Sequence, residues 1–214
     1  KILQTQCIAI GDGTDYTKYS KNPVVTASML PEGCSLEDFR DPKIWKENDR
    51  YYMVAGSRNR EGVGQAVLFL ADKLEEWKFA GVLDHSGKGC STMWECPDFF
   101  SERQVLLISP QEMEAEGLEF HNGSNTVFLI GTYDKETMQF TRECAQCVDY
   151  GLDFYAPQTM QTEDHRRILI AWMQSWENPV YPDTQRWSGM MTVPRELFMH
   201  DGRICQLPVR ELDR

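Results

Sequence analysis

Trp94-Glu95-Cys96-Pro97-Asp98-Phe99-Phe100 is the stretch from which the fold can be read, because a variant of it lies on either side. Upstream is Phe39-Arg40-Asp41-Pro42, and downstream is Asp153-Phe154-Tyr155-Ala156-Pro157-Gln158. Their leading carboxylates lie 54 residues apart (95 − 41) and then 58 apart (153 − 95). Each acid has an aromatic neighbour within two positions and a proline within four, and each segment runs through a polar turn into an apolar stretch. A carboxylate repeated at one point of a unit of roughly fifty residues predicts acids converging on one axis.

Outward from the motifs the chain reads strand, turn, strand. Gln6–Ile10, Tyr51–Ala55, Gln65–Leu70, Val105–Ser109, Asn125–Thr132, Arg167–Met173 and Gly189–Val193 are short runs rich in apolar residues. Asp201-Gly202 between Leu197–Met199 and Arg203–Leu207 is a hairpin turn, as is Asn48-Asp49. Only Gln111–Glu119 has helical character, and it is short and charged. Many of the runs are continuously apolar rather than alternating, which predicts strands covered on both faces. Stacked sheets of a β-propeller would cover them so.

Each repeat contains a motif strand, an apolar strand, another strand and an outer hairpin. Asp72–Trp77 fills the late hairpin of one unit and Tyr133–Thr137 that of the next. Residues 1–38, with Cys7–Ile10, a Gly-rich turn and Tyr16–Tyr19, read as the second half of a preceding unit. Residues 39–92, 93–150 and 151–214 read as whole blades, giving an all-β chain of about three and a half four-stranded blades. A propeller does not close on that number, so a fragment is expected.

Composition narrows the function. With 41% hydrophobic and 11% aromatic residues, the 214-residue chain can bury a sizeable core. No apolar run approaches the roughly 20 residues of a membrane-spanning helix. A formal net charge of −11 argues against nucleic acid or an anionic membrane as the main partner. Lys1-Ile2-Leu3-Gln4 lacks the features of a signal peptide and an initiator methionine. The seven cysteines are an odd count. Cys144-Ala145-Gln146-Cys147 has no second pair or nearby histidine to complete a zinc site, so reduced thiols and a cytoplasmic setting are expected. His85, His121, His165 and His200 show no metal-ligand spacing, and the Asp12-Gly13 region reads as a turn rather than a calcium loop.

The three motifs resemble signature motifs of glycoside hydrolase family 32, the invertases, fructan hydrolases and bacterial sucrose-6-phosphate hydrolases. Asn22-Pro23-Val24-Val25, Tyr51-Tyr52-Met53-Val54, Ser109-Pro110-Gln111 and Pro194-Arg195-Glu196-Leu197 support the resemblance in order and spacing. It covers nearly the whole chain and is closest in flavour to the bacterial invertase and sucrose-6-phosphate hydrolase branch. The family's fold is a five-bladed β-propeller followed by a β-sandwich. The resemblance therefore implies that the first blade and the sandwich are absent. The family's nucleophile is an aspartate in an Asn-Asp-Pro motif, which does not occur here and is expected upstream of Lys1.

Retaining cleavage of a glycosidic bond needs two carboxyl groups about 5–5.5 Å apart, one attacking and one protonating the leaving oxygen. The resemblance implies Glu95 as general acid/base and Asp41 as transition-state stabiliser. Trp94 and Cys96 suggest an apolar setting that keeps a proton on Glu95 near neutrality. Arg40 is expected to bond substrate or hold a neighbouring carboxylate. Strand alternation places Asp153 and Tyr155 on one side, with Tyr155 in reach of the acid/base; Asp153 also fits a structural acid at the strand start. Trp94 and Trp172 are candidates for packing on a sugar ring; Trp45, Trp77, Trp176 and Trp187 read as packing residues. Arg58 and Arg60 are possible contacts for a 6-phosphate. The expected function is a retaining β-fructofuranosidase acting on a small-molecule fructoside, with no cofactor and no metal. Its substrate (sucrose, sucrose 6-phosphate or fructan) and its oligomeric state stay open. A fructosyltransferase and a non-catalytic carbohydrate-binding propeller are the alternatives.

Overall fold

The computed structural model describes residues 2–87, 90–100, 104–178 and 184–213. Among them sixteen strands form five antiparallel sheets. Strands β1 (Thr5–Gln6), β2 (Ala9–Gly11), β3 (Tyr16–Lys18) and β4 (Val25–Thr26) make two small sheets, β1 with β4 and β2 with β3. The first four-stranded sheet contains β5 (Phe39–Glu47), β6 (Arg50–Arg58), β7 (Gly64–Ala71) and β8 (Lys78–His85). The second contains β9 (Met93–Phe100), β10 (Val105–Gln111), β11 (Val127–Asp134) and β12 (Gln139–Cys147). The third contains β13 (Tyr155–Gln161), β14 (Arg167–Trp172), β15 (Arg195–His200) and β16 (Arg203–Pro208). Each runs in sequence order from its motif strand outward.

Local chemistry sets the turns. Asn48 and Asp49 (φ 49° and 64°) join β5 to β6, and Asp201 and Gly202 (φ 48° and 74°) join β15 to β16. Positive φ at both central residues is what a two-residue hairpin in a right-twisted sheet requires. Gln111–Glu119 is not helical. Glu112 takes φ 52°, Gly117 takes φ 61°, and Glu116 bridges Glu119 in a tight turn. Four glutamates in eight residues offer no apolar face to hold a helix. Gly189–Val193 is not a strand either. Gly189 lies at φ 78° and Pro194 follows, so the segment makes one isolated bridge, Met191 to Trp172.

The core lies between the sheets. Val54, Ala66 and Leu68 of the first sheet pack against Trp94, Leu106 and Ile108 of the second. Val105, Leu107 and Phe128 on the other side of the second sheet meet Leu169, Ala171 and Leu197 of the third. β10 thus sends alternate side chains into two cores, which is why its sequence reads as one apolar run. Two glycines let the first two sheets approach closely. A Cβ on Gly56 would sit 2.1 Å from the Trp94 carbonyl oxygen, and one on Gly64 would sit 2.6 Å from the Trp94 amide nitrogen.

Candidate active site

The three motif strands share one irregularity. In β5, Arg40 pairs with Gly56 and Lys43 with Val54, so two residues, Asp41 and Pro42, face one. In β9, Glu95 pairs with Ser109 and Asp98 with Leu107, leaving Cys96 and Pro97. In β13, Tyr155 pairs with Trp172 and Gln158 with Ile170, leaving Ala156 and Pro157. These are β-bulges with a proline in the second position, where its missing N–H costs the ladder nothing. The first bulge residue is left-handed in every case: Asp41 at φ 57°, Cys96 at 46° and Ala156 at 50°. A non-glycine residue there, before a proline, is strained by about 1–3 kcal/mol and is a feature of functional sites.

The bulges correct the alignment on leading carboxylates. Structurally equivalent residues are Arg40, Glu95 and Tyr155, each just ahead of its bulge, and these three touch. Arg40 Nε donates to Glu95 Oε1 at 2.9 Å, and the Tyr155 hydroxyl donates to Glu95 Oε2 at 2.7 Å. Tyr155 also reaches the Ser109 carbonyl at 3.2 Å. Both oxygens of Glu95 are therefore held, and its side chain keeps only 14% of its exposure. Asp41 joins from the neighbouring strand. Its Oδ2 accepts the Cys96 amide at 3.0 Å and faces the Cys96 thiol at 3.6 Å. The Asp41 carboxylate is thereby fixed one residue along from Glu95.

Electrostatics keep these donors protonated. Burial pushes the Tyr155 phenol well up, and the charge and hydrogen bond of Glu95 push it further, so it serves only as a donor. Burial, with Asp41 and Glu95 nearby, likewise raises the Cys96 thiol and keeps it neutral and unreactive. Burial disfavours the Arg40 cation, yet Glu95 and Asp38 outweigh it, and the net shift is upward. Arg40 Nη1 bonds Gln4 at 3.0 Å and Asp38 at 3.2 Å, while Arg58 bonds Asp38 at 2.8 Å. Burial opposes ionisation of Asp38, but Ser35, Arg40 and Arg58 hold its carboxyl below the usual range.

Several expectations change. Trp94 is 2% exposed and points into the core between the first two sheets, so it has no face for a sugar. Glu95 points the opposite way, and its neighbours are a guanidinium and a phenol rather than an apolar wall. Asp153 precedes β13, where strand alternation does not apply, and pairs with Asn178 at 3.0 and 3.1 Å instead of joining Glu95. Trp172, half-buried, is paired with Tyr155 in the sheet and meets Trp176 edge-on at 5.2 Å. Trp176 and Trp187 are not packed inside: they are 64% and 62% exposed. Trp45, stacked on Tyr52, and Trp77 do pack. Arg58 is committed to Asp38, and the Arg60 side chain lies against Gly33. Gln4, Asp38, Lys43, Asp98 and Thr159 are neighbours that strand alternation alone does not find. A three-residue step across a proline bulge was the signal for Lys43 and Asp98.

Comparison with known proteins places the chain in a family. The family model of the glycosyl hydrolases family 32 N-terminal domain matches residues 1–208. The chain is 41% identical to a raffinose invertase of Escherichia coli and 38% identical to a sucrose-6-phosphate hydrolase of the same organism, over 214 residues each. Both alignments cover 99% of this chain and 44% of the relative, so the chain spans less than half the length of these relatives. A solved GH32 β-fructofuranosidase of Bombyx mori superposes with a TM-score of 0.89 at 38% identity, covering 98% of this chain and 45% of that one.

Proposed function

This chain belongs to glycosyl hydrolase family 32, and on that premise we propose that the protein carrying it is a retaining β-fructofuranosidase. Glu95 is its general acid/base and Asp41 its transition-state stabiliser. One observation carries the assignment: Glu95 is clamped between Arg40 and Tyr155, with the Asp41 carboxylate docked on the next peptide. The three four-stranded sheets are read as blades of a five-bladed β-propeller, with β5, β9 and β13 lining its axis.

The chemistry follows from these placements. An attacking carboxylate from chain outside these residues, the family's Asn-Asp-Pro aspartate, displaces the leaving group at the anomeric carbon of fructose. Glu95 gives its proton to the departing oxygen, and Asp41 offsets the positive charge that develops on the ring. In the second half Glu95 takes a proton from water, which resolves the fructosyl ester. Arg40 holds Glu95 Oε1, so the proton moves at Oε2, beside Tyr155. Relatives named as a raffinose invertase and a sucrose-6-phosphate hydrolase support sucrose-type fructosides as substrates. Rates on sucrose and sucrose 6-phosphate, compared in the full-length protein, decide between those two.

Glu95→Gln in the full-length protein tests the assignment. Turnover of sucrose is expected to fall about a thousandfold, the scale of general acid–base catalysis, while calorimetry still detects fructoside binding. An unchanged rate removes Glu95 from the chemistry and leaves a sugar-binding protein.

A further inference from the structure

A second row of side chains lies beside the first, one bulge further along the same strands, and the chemistry above does not use it. Asp98 is 1% exposed. Its Oδ2 accepts the Thr159 amide at 3.0 Å and the Thr159 hydroxyl at 2.7 Å, and lies 3.3 Å from Lys43 Nζ. Lys43 also donates to the Thr159 carbonyl at 2.6 Å and to Gln158 Oε1 at 3.3 Å. Arg167 Nη1 donates to the Thr159 hydroxyl at 3.0 Å. Lys43 stands on β5, Asp98 on β9 and Thr159 on β13, so one buried carboxylate joins all three motif strands.

Stability alone is a weak reason for such a group. A buried ion pair loses several kcal/mol of hydration per charge, and apolar replacements often match or exceed its contribution. The strand register supplies a better one. In a regular strand, residues 95 and 98 would face opposite sides. The Cys96-Pro97 bulge places both on one side, opposite Ser109 and Leu107. Fixing Asp98 therefore fixes the far end of the short rigid segment whose near end carries Glu95.

We propose that Asp98 is a positioning residue for Glu95. Tied to Lys43 and Thr159, it sets the stagger of the three motif strands, so that the Glu95 carboxyl meets both Arg40 and Tyr155 in line for proton transfer. This rests on the reading of Glu95 as the acid. A displacement of about 1 Å at such a group costs on the order of a hundredfold in rate.

The test compares two substrates in the full-length protein: sucrose, whose leaving group needs a proton, and an activated aryl β-fructofuranoside, whose leaving group does not. The quantity read is kcat/KM, which reports the bond-breaking step. Asp98→Asn keeps the size and an acceptor for Thr159 but removes the charge facing Lys43. It is expected to lower kcat/KM on sucrose at least about tenfold and on the aryl fructoside less than about threefold. Equal losses on both substrates, or no loss on sucrose, would overturn the proposal. Thr159→Val retains the backbone donor and serves if Asp98→Asn does not fold. It is expected to show the same leaving-group dependence at about threefold on sucrose, and equal losses there overturn the proposal as well. Glu95→Gln on the same pair tests the underlying reading separately, since an acid must be dispensable for the aryl substrate.

Discussion

The inner strands and the connecting turns of the three large sheets are built on different rules. At the inner edge, β5, β9 and β13 carry left-handed residues before proline, half-buried carboxylates and hydrogen bonds between sheets. In the connecting turns, exposed pairs such as Arg50–Asp72 and Lys73–Glu76 meet water. The motif strands hold left-handed residues inside a ladder, before proline, whereas those of the turns, such as Asn48, Asp49 and Asp201, sit where a two-residue hairpin requires them. Position-specific geometry is concentrated in the motif strands, and tolerance in the turns.

That contrast can be broken most forcefully at Gly56. Its α-carbon abuts the Trp94 backbone, so Gly56→Ala must push β9 away from β6. A loss of about 3 kcal/mol in thermal or denaturant unfolding is expected, at the upper end of overpacking costs. A stability within experimental error of the parent would show that the sheets can slide. Next comes Tyr155→Phe, which removes one donor from Glu95 and nothing from the core. Sucrose turnover is expected to fall about tenfold, or about 1.4 kcal/mol of transition-state stabilisation. An unchanged turnover would contradict the donor role. The smallest effect sharpens the contrast from outside. Arg50→Ala breaks an exposed ion pair, and its unfolding free energy is expected to stay within about 0.5 kcal/mol of the parent.

Much of the frame is legible from residues alone. Asn48-Asp49 and Asp201-Gly202 announce their hairpins through φ, and the unbroken apolar run at Val105–Ile108 announces a strand between two cores. The motifs mark Arg40, Asp41, Glu95 and Tyr155; Arg40 and Tyr155 meet Glu95 in the structure, and Asp41 docks on the Cys96 peptide beside it. What escaped is phase. Counting by twos assigns Trp94 and Glu95 correctly to opposite faces but cannot say which face is the core. It also places Asp98 opposite Glu95, because a bulge adds a residue that leaves no mark in hydrophobic alternation. Asp153 falls out of phase for a related reason: the strand begins two residues later, at Tyr155. Trp176 and Trp187 lie outside although an indole looks apolar wherever it sits, because its sequence neighbours do not encode its exposure.

The proline-locked kink has one more consequence. Because the same backbone device occurs three times, it works as a socket that presents whatever side chain precedes it to a common point. The copies hold a cation, an acid and a phenol, so the chemistry at that point is decided by three single letters while the main chain around them stays alike. Exchanging letters between sockets is thus a route to new reactivity that leaves the architecture untouched.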